Sequence, residues 1–264
     1  MLLTMLIAAA QPAAENTVAQ PDSIVIQLVA GEGERRCLAD KSLCLELAKA
    51  DGDADIAGSL IVTSPASGKV DTVPLPFASS DGEGVELWPH LVAVPPNEAE
   101  SADRSEYLVG IVTETRTMYS GGGGSGGRLH LLRLAQTPET TSLGGEVLDV
   151  VWDSSLLIRA CFSEEDMKDR LGACHDEYSF KGVLAAGPND GGELPALTYR
   201  SVATAYPQTS RRTEDNSVGK LKKSDLATWR DPECSYTRML RFNPATARYE
   251  MDRAAPDCSV YTTP

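Results

Sequence analysis

The sequence predicts an all-β fold, mainly antiparallel and closing as a sandwich, a barrel or a propeller-like array, with two short helices and a set of disulfides. Three observations carry this. About a dozen short apolar segments are separated by turn residues, long amphipathic helices are absent, and six cysteines are spread along the chain. Hydrophobic content of 42% with 23% charged residues in 264 residues is the composition of a folded chain with a sizeable core.

The first stretch, MLLTMLIAAAQPAAENTVAQ, has an apolar run from Leu2 to Ala10 followed by small residues. The run is shorter than the roughly 20 apolar residues a bilayer requires, so residues 1–21 are expected to be a secretory leader. Ala8 with Ala10, or the Ala13–Ala14 pair, would supply the small residues at the cleavage point; no Lys or Arg precedes the apolar run, which is atypical of such leaders. No cysteine follows directly, which disfavours a lipid anchor. The remainder, 22–264, reads as a single β-rich domain with no membrane-spanning segment.

Cys37, Cys44, Cys161, Cys174, Cys234 and Cys258 all lie outside the leader and fit an oxidising compartment. Proximity suggests the pairs 37–44, 161–174 and 234–258. The last has added support from Asn243–Pro244, a turn initiator that would fold CSYTRMLRF back onto ARYEM. Each such bridge closes a short loop and stabilises by about 2–4 kcal/mol. A zinc site is disfavoured because no C-x-x-C occurs.

In chain order the expected strands are SIVIQLV, with Ile24, Ile26 and Leu28 on one face, then LCLELA, SLIVT, VDTVPLP, YLVGIVTETRTMY, RLHLLRL, VLDVVW, SLLIRACF, YSFKGVLAA, LTYRSVATAY, CSYTRMLRF and ARYEM. One helix is expected at SEEDMKDRLG, capped by Ser163, with Glu164, Glu165 and Asp166 at its positive end and Met167 stacked on Leu171. A second is expected at SDLATWR, capped by Ser224 and closed by Pro232. The tracts 79–84, 95–105, 137–146 and 210–220 read as polar loops. A faint echo of the Cys37–Cys44 region around Cys161–Cys174 makes a subdomain break near 137–146 an open alternative.

Residues 118–134, MYSGGGGSGGRLHLLRL, match two motifs at once. Gly123 to Gly127 satisfies the G-x-S-x-G of a serine hydrolase around Ser125, and Gly121, Gly123 and Gly126 satisfy a dinucleotide-binding pattern. Both need a helix after the motif, and Leu129 to Leu134 reads as a strand. A β-hairpin with a long flexible glycine tip is therefore expected, its Tyr119, Ser120 and Ser125 being candidate ligand contacts.

The segment Cys174-His175-Asp176-Glu177-Tyr178 concentrates side-chain chemistry. In an extended chain His175 and Glu177 share one face with Asp176 opposite, so His175 could act as a general base or share a metal with Glu177. Asp51, Asp53 and Asp55 begin like a calcium loop, but Ile56 stands where the turn glycine belongs and Val62 where the bidentate Glu belongs. An acidic turn is the better reading. Of the other two histidines, His130 alternates with leucines as a strand residue and His90 follows Trp88–Pro89 in a loop or strand edge. Arg211, Arg212, Lys220, Lys222 and Lys223 read as a solvated loop, and the tyrosines at 178, 199, 206, 236, 249 and 261 as half-buried strand residues.

A formal charge of -14 disfavours nucleic acid and anionic membranes as partners. These readings favour a periplasmic or secreted, non-catalytic binding or envelope-associated module without a cofactor. Its partner would be a protein or small molecule of the cell envelope. The alternative is a secreted hydrolase or metal-dependent enzyme using His175 with Asp176 or Glu177.

Overall fold

The computed structural model describes residues 24–49, 57–76, 83–96 and 104–264. The expected leader lies outside them, as do Asp51, Asp53 and Asp55. Short strands come first: β1 (Val25–Gln27), β2 (Val29–Ala30), β3 (Arg36–Cys37), β4 (Cys44–Lys49), β5 (Ala57–Ser64) and β6 (Lys69–Pro74). Long ones follow: β7 (Glu83–Val94), β8 (Ser105–Tyr119), β9 (Gly122–Gln136) and β10 (Thr141–Arg159). Helix α1 (Glu164–Asp169) leads to β11 (His175–Ala186), β12 (Leu197–Tyr206), β13 (Trp229–Asp231), β14 (Thr237–Asn243), β15 (Arg248–Met251) and helix α2 (Ser259–Thr262).

Among the described residues all strand pairings are antiparallel. A ten-stranded sheet runs β1-β7-β8-β9-β10-β11-β12-β14-β15, with β13 beside β12, and a five-stranded sheet runs β2 to β6 in sequence order. The segment 137–146 is the turn and first residues of the β9–β10 hairpin, closed by the Thr137 N–H donating to the Thr140 carbonyl at 2.8 Å. The strands on either side of it pair with each other.

Two hydrophobic cores flank the large sheet. One joins Leu28, Leu43, Leu45, Leu60 and Val62 of the small-sheet layer to Leu91, Val109, Ile111, Leu132 and Leu134. The other joins Trp88, Val92, Leu108, Leu129 and Leu131 to Tyr178, Phe180, Leu197, Tyr199 and Leu240, so the large sheet curls over its own face. The sequence neighbours Leu91 and Val92, Leu108 and Val109, and Leu131 and Leu132 are each 0% exposed, one of each pair in either core. Strands buried on both faces carry continuous apolar runs instead of a clean alternation. That is why VGIV and LHLLRL are so uniformly apolar.

The three disulfides pair as proximity suggests: Cys37–Cys44, Cys161–Cys174 and Cys234–Cys258. Cys37 and Cys44 sit directly opposite each other on β3 and β4. Asn243 closes β14 and its side chain accepts from the Ala245 N–H at 3.0 Å, which starts the turn into β15. Helix α1 has the predicted cap. The Asp166 N–H donates to the Ser163 hydroxyl at 3.1 Å, and the Asp166 carboxylate accepts from the N–H groups of Phe162 and Ser163. Those backbone donors, Phe162 first, hold the Asp166 carboxyl below its ordinary pKa. The helix stops at Asp169, so Leu171, expected to stack on Met167 within it, lies beyond its end with a left-handed φ of 53°.

Three other expectations are corrected. The stretch from Ser224 is a single 3-10 turn, Lys223–Asp225, because the Asp225 carbonyl takes the Gln208 N–H and Trp229 is drawn into β13; the second short α-helix is α2. Strand β7 was not expected, because Pro89 interrupts its pattern. Pro89 lies in an irregularity between Leu87 and Leu91, and its carbonyl accepts from the Leu28 N–H at 2.9 Å. Finally, the glycines are not a long flexible tip. The turn is Ser120–Gly121 alone, with Gly121 at φ 88°, and Gly122 to Gly127 are strand residues paired with β8, Gly123 to Gly127 also with β10.

Those glycines are packed closely on one side. A Cβ on Gly122 would lie 2.1 Å from the Leu157 carbonyl oxygen, one on Gly124 2.5 Å from Leu156, and one on Gly126 3.1 Å from Pro264. The segment carrying α2 thus seats against a strand with no side chains to push it away. The buried Ser154 hydroxyl donates to the Tyr261 carbonyl beside it.

Gly122→Ala is expected to lower unfolding stability by about 1–3 kcal/mol through overpacking. Gly145→Ala, where nothing lies within 4 Å, should be neutral or stabilising by up to about 1 kcal/mol. Urea titrations of both variants check the contrast. His90 provides a pH test. Its ring lies 4.8 Å from that of Trp88 and burial holds its pKa below the ordinary histidine value. The folded state therefore disfavours protonated His90, and the stability this supports is present above the unfolded value of about 6.5 and is lost as pH falls below it. Between pH 7 and 5 a His90→Asn variant should lose less stability than the parent chain.

Candidate functional site

The outward face of the glycine segment is an open groove of about 480 Å³ lined by Glu114, Arg116, Met118, Gly121 to Ser125, Ser155, Leu157 and His175. Its shape follows from strand register. Gly123 pairs with Met118 on one side and Leu157 on the other, and Ser125 pairs with Arg116 and Ser155. With β9 contributing only hydrogen and hydroxyl groups, the rows on β8 and β10 become walls about 10 Å apart, two strand spacings. Met118 is 86% exposed and Leu157 40%, so the wall on each side of Gly123 is an apolar side chain in solvent.

The polar end is ordered. Arg116 donates to Glu114 at 2.7 Å, and the Ser125 hydroxyl also donates to Glu114. Arg116 is the main cause, and Ser125 a smaller one, of the Glu114 carboxyl being held below its ordinary pKa. Farther along, the Asp153 side chain folds over Gly127, where a Cβ would meet its carboxylate oxygen at 2.1 Å. Burial, and then the charges of Glu114 and Glu86, push the Asp153 carboxyl up.

The predicted site residues divide. Ser125 and His175 both line the groove. Ser125 pairs with Ser155, however, whereas His175 pairs with Arg159, two strands over and four residues along. Their backbones are about 16 Å apart by strand geometry, too far for a serine–histidine couple. Tyr119 ends β8 and donates to the Leu157 carbonyl at 3.3 Å, and Ser120 is in the turn. No helix follows the glycines, so neither the hydrolase elbow nor the dinucleotide loop has its required context.

His175 and Glu177 do share the exposed face of β11, with Asp176 on the buried side. Asp176 is 2% exposed and accepts from Arg170 at 2.6 Å, while Arg170 also donates to the carbonyls of Ala173 and Asn216 and Ser210 donates to Asp176. This buried ion pair clamps the α1 loop and the 210–216 segment to β11. Tyr178, next on that face, has its hydroxyl pushed up to about 12 by burial and then by Asp176. Among the described residues, His175 and Glu177 have no third metal-ligating group within reach.

The basic stretch is largely engaged. Arg211 stacks 4.2 Å over Trp229, Arg212 donates to carbonyls of Ser259, Val260 and Thr263, and Lys220 pairs with Asp169 at 3.0 Å. Tyr178, Tyr199, Tyr249 and Tyr261 are buried in the core. A larger recess lies between Pro95–Pro96 and the segment from Ala186 to Ala196. The chain matches no family model, no curated protein and no solved structure. Glu114, Arg116, Met118, Ser155 and Leu157 were absent from the sequence-level candidates. Among the described residues no helix is long and apolar enough to cross a membrane.

Asp176→Ala, which leaves Arg170 buried without its anion, is expected to cost about 3–5 kcal/mol of stability. His175→Ala, on the exposed face, should change it by less than about 0.5 kcal/mol. Denaturant unfolding of the two variants separates the structural from the surface residue.

Proposed function

We propose that this chain is a non-catalytic binding module of an oxidising extracytoplasmic compartment, periplasmic or secreted, and that the groove over β9 is its recognition surface. The carrying observation is the pair of solvent-exposed apolar side chains, Met118 and Leu157, on either side of Gly123, the Met118 sulfur leaning over the glycine to 3.1 Å from where a Cβ would stand. Exposed apolar side chains set around a polar, hydrogen-bonded rim are a feature of contact surfaces. Phe162, 64% exposed with Arg159 stacked 5.1 Å over its ring, is a further exposed apolar side chain in the segment after β10. The three disulfides support the compartment.

The occupant that fits is one extended segment of a partner protein. A slot two strand spacings wide admits one backbone, an apolar side chain of it can pack against Met118 and Leu157, and Ser125, Ser155 and Arg116 offer hydrogen bonds to its polar groups. The separation of Ser125 from His175 supports binding over hydrolysis.

A photo-reactive residue at Met118 is expected to cross-link one partner in the native compartment, and the same probe at Val218, 81% exposed, is not. Leu157→Asp should abolish the Met118 cross-link with no more than a small change in the unfolding midpoint. Equal labelling from both positions, or labelling indifferent to Leu157→Asp, would overturn the proposal.

A further inference from the structure

Away from the groove, His130, Glu146 and Asp149 place one ligand atom each within 4.8 Å of one another. We propose that these three residues form a site for a divalent cation of the zinc class, with one nitrogen and two carboxylate ligands. The inference is independent of the groove.

Register explains how they meet. His130 pairs with Asp149 and Leu132 with Glu146, and His130 and Leu132 share a face of β9. Residues 146 and 149 would point to opposite faces of a regular strand. The bulge between Glu146 and Leu148 inserts one residue and returns both carboxylates to the histidine's side. A strand irregularity thus aims the two acids at one imidazole.

The geometry is close to a metal's requirement. Bonds of 2.0–2.2 Å in a tetrahedral zinc site put ligand atoms about 3.3 Å apart. The His130 Nδ1 lies 2.7 Å from Glu146 Oε2 and 3.7 Å from Asp149 Oδ1, values on either side of that spacing. The two carboxylate atoms lie within 4.8 Å of each other, so side-chain shifts of about 0.5–1.5 Å bring all three to that spacing. The other ring nitrogen, Nε2, is 3.0 Å from the Thr113 hydroxyl, so Thr113 orients the ring with Nδ1 toward the carboxylates, as a second partner does for metal-bound histidines. Arg248 holds the other oxygen of Glu146, leaving Oε2 to face the site.

One cation already contends for the position. Arg128 donates to Asp149 Oδ1 at 2.7 Å, but its side chain is 48% exposed, and an ion pair at such a surface is weak. A divalent ion displaces it from Oδ1. Two carboxylates then neutralise the metal, and a fourth position is left to water.

The test is calorimetric titration of the intact, oxidised chain with zinc chloride alone. Every described cysteine is in a disulfide, so no thiol competes. One equivalent is expected to bind, weakened at least about 100-fold by His130→Ala and by Asp149→Asn, and unchanged by His175→Ala. Arg128→Ala should tighten binding several-fold, the opposite of what an ordinary ion-pair network implies. Far-ultraviolet circular dichroism establishes that each variant is folded, and Asp149→Asn, an isosteric change at a partly exposed strand position, serves if His130→Ala is not. No zinc uptake at millimolar concentration, uptake indifferent to Asp149→Asn, or uptake weakened by Arg128→Ala would overturn the site.

Discussion

The structure depends on burying β7, β8 and β9 on both faces. A fully buried leucine or valine contributes about 1.5–3 kcal/mol, and here consecutive residues of each strand are withdrawn from water in opposite directions. A single sheet cannot do that. It needs a layer on either side, and the chain supplies the five-stranded sheet for one face and the second half of the same large sheet for the other. The irregularities in β10 follow from this demand, since a strand that belongs to both halves has to bend. One of these bends also gathers the cluster around His130.

The glycine segment is the second consequence. Glycine is a poor strand former because fixing its backbone costs the most entropy. Here hydrogen bonds to a strand on each side hold it, and the missing side chains are used on both faces. On one, the α2 segment comes within contact distance of the backbone. On the other, the absent side chains leave the groove.

Much of the fold was legible from residue pattern. Period-two alternation in YSFKGVLAA and LTYRSVATAY, the Ser163 capping box and the closeness of each cysteine to its partner are local signals, and local signals survive folding. Strand β7 was hidden because Trp88–Pro89–His90 breaks the alternation, and only the bulge accommodates the proline. The strand state of the glycines was hidden because glycine's propensity runs against strand, and pairing with distant strands overrides it. At the site, alternation was enough to put His175 and Glu177 on one face and Asp176 on the other. That Ser125 and His175 lie at opposite ends of one groove, or that Arg170 occupies Asp176, depends on strand order, which no short motif encodes. His130 reads as an ordinary strand residue because a one-residue bulge elsewhere decides which acids face it.

The seating of the α2 segment against β9 and β10 has a consequence for the order in which this chain can fold. Ser154 and Tyr261, joined by a hydrogen bond, are 107 residues apart in sequence. Contacts of such separation form slowly, because a large loop must close before they repay it. During synthesis the N-terminal hairpins of the small sheet can form as they emerge, but the core beneath the glycine strand stays open until residues 258–264 have been made. Until then Gly124 and Gly126 lack the cover of Thr262 and Pro264, a partly shielded length of strand on which a folding helper, or a second unfinished chain, could settle first.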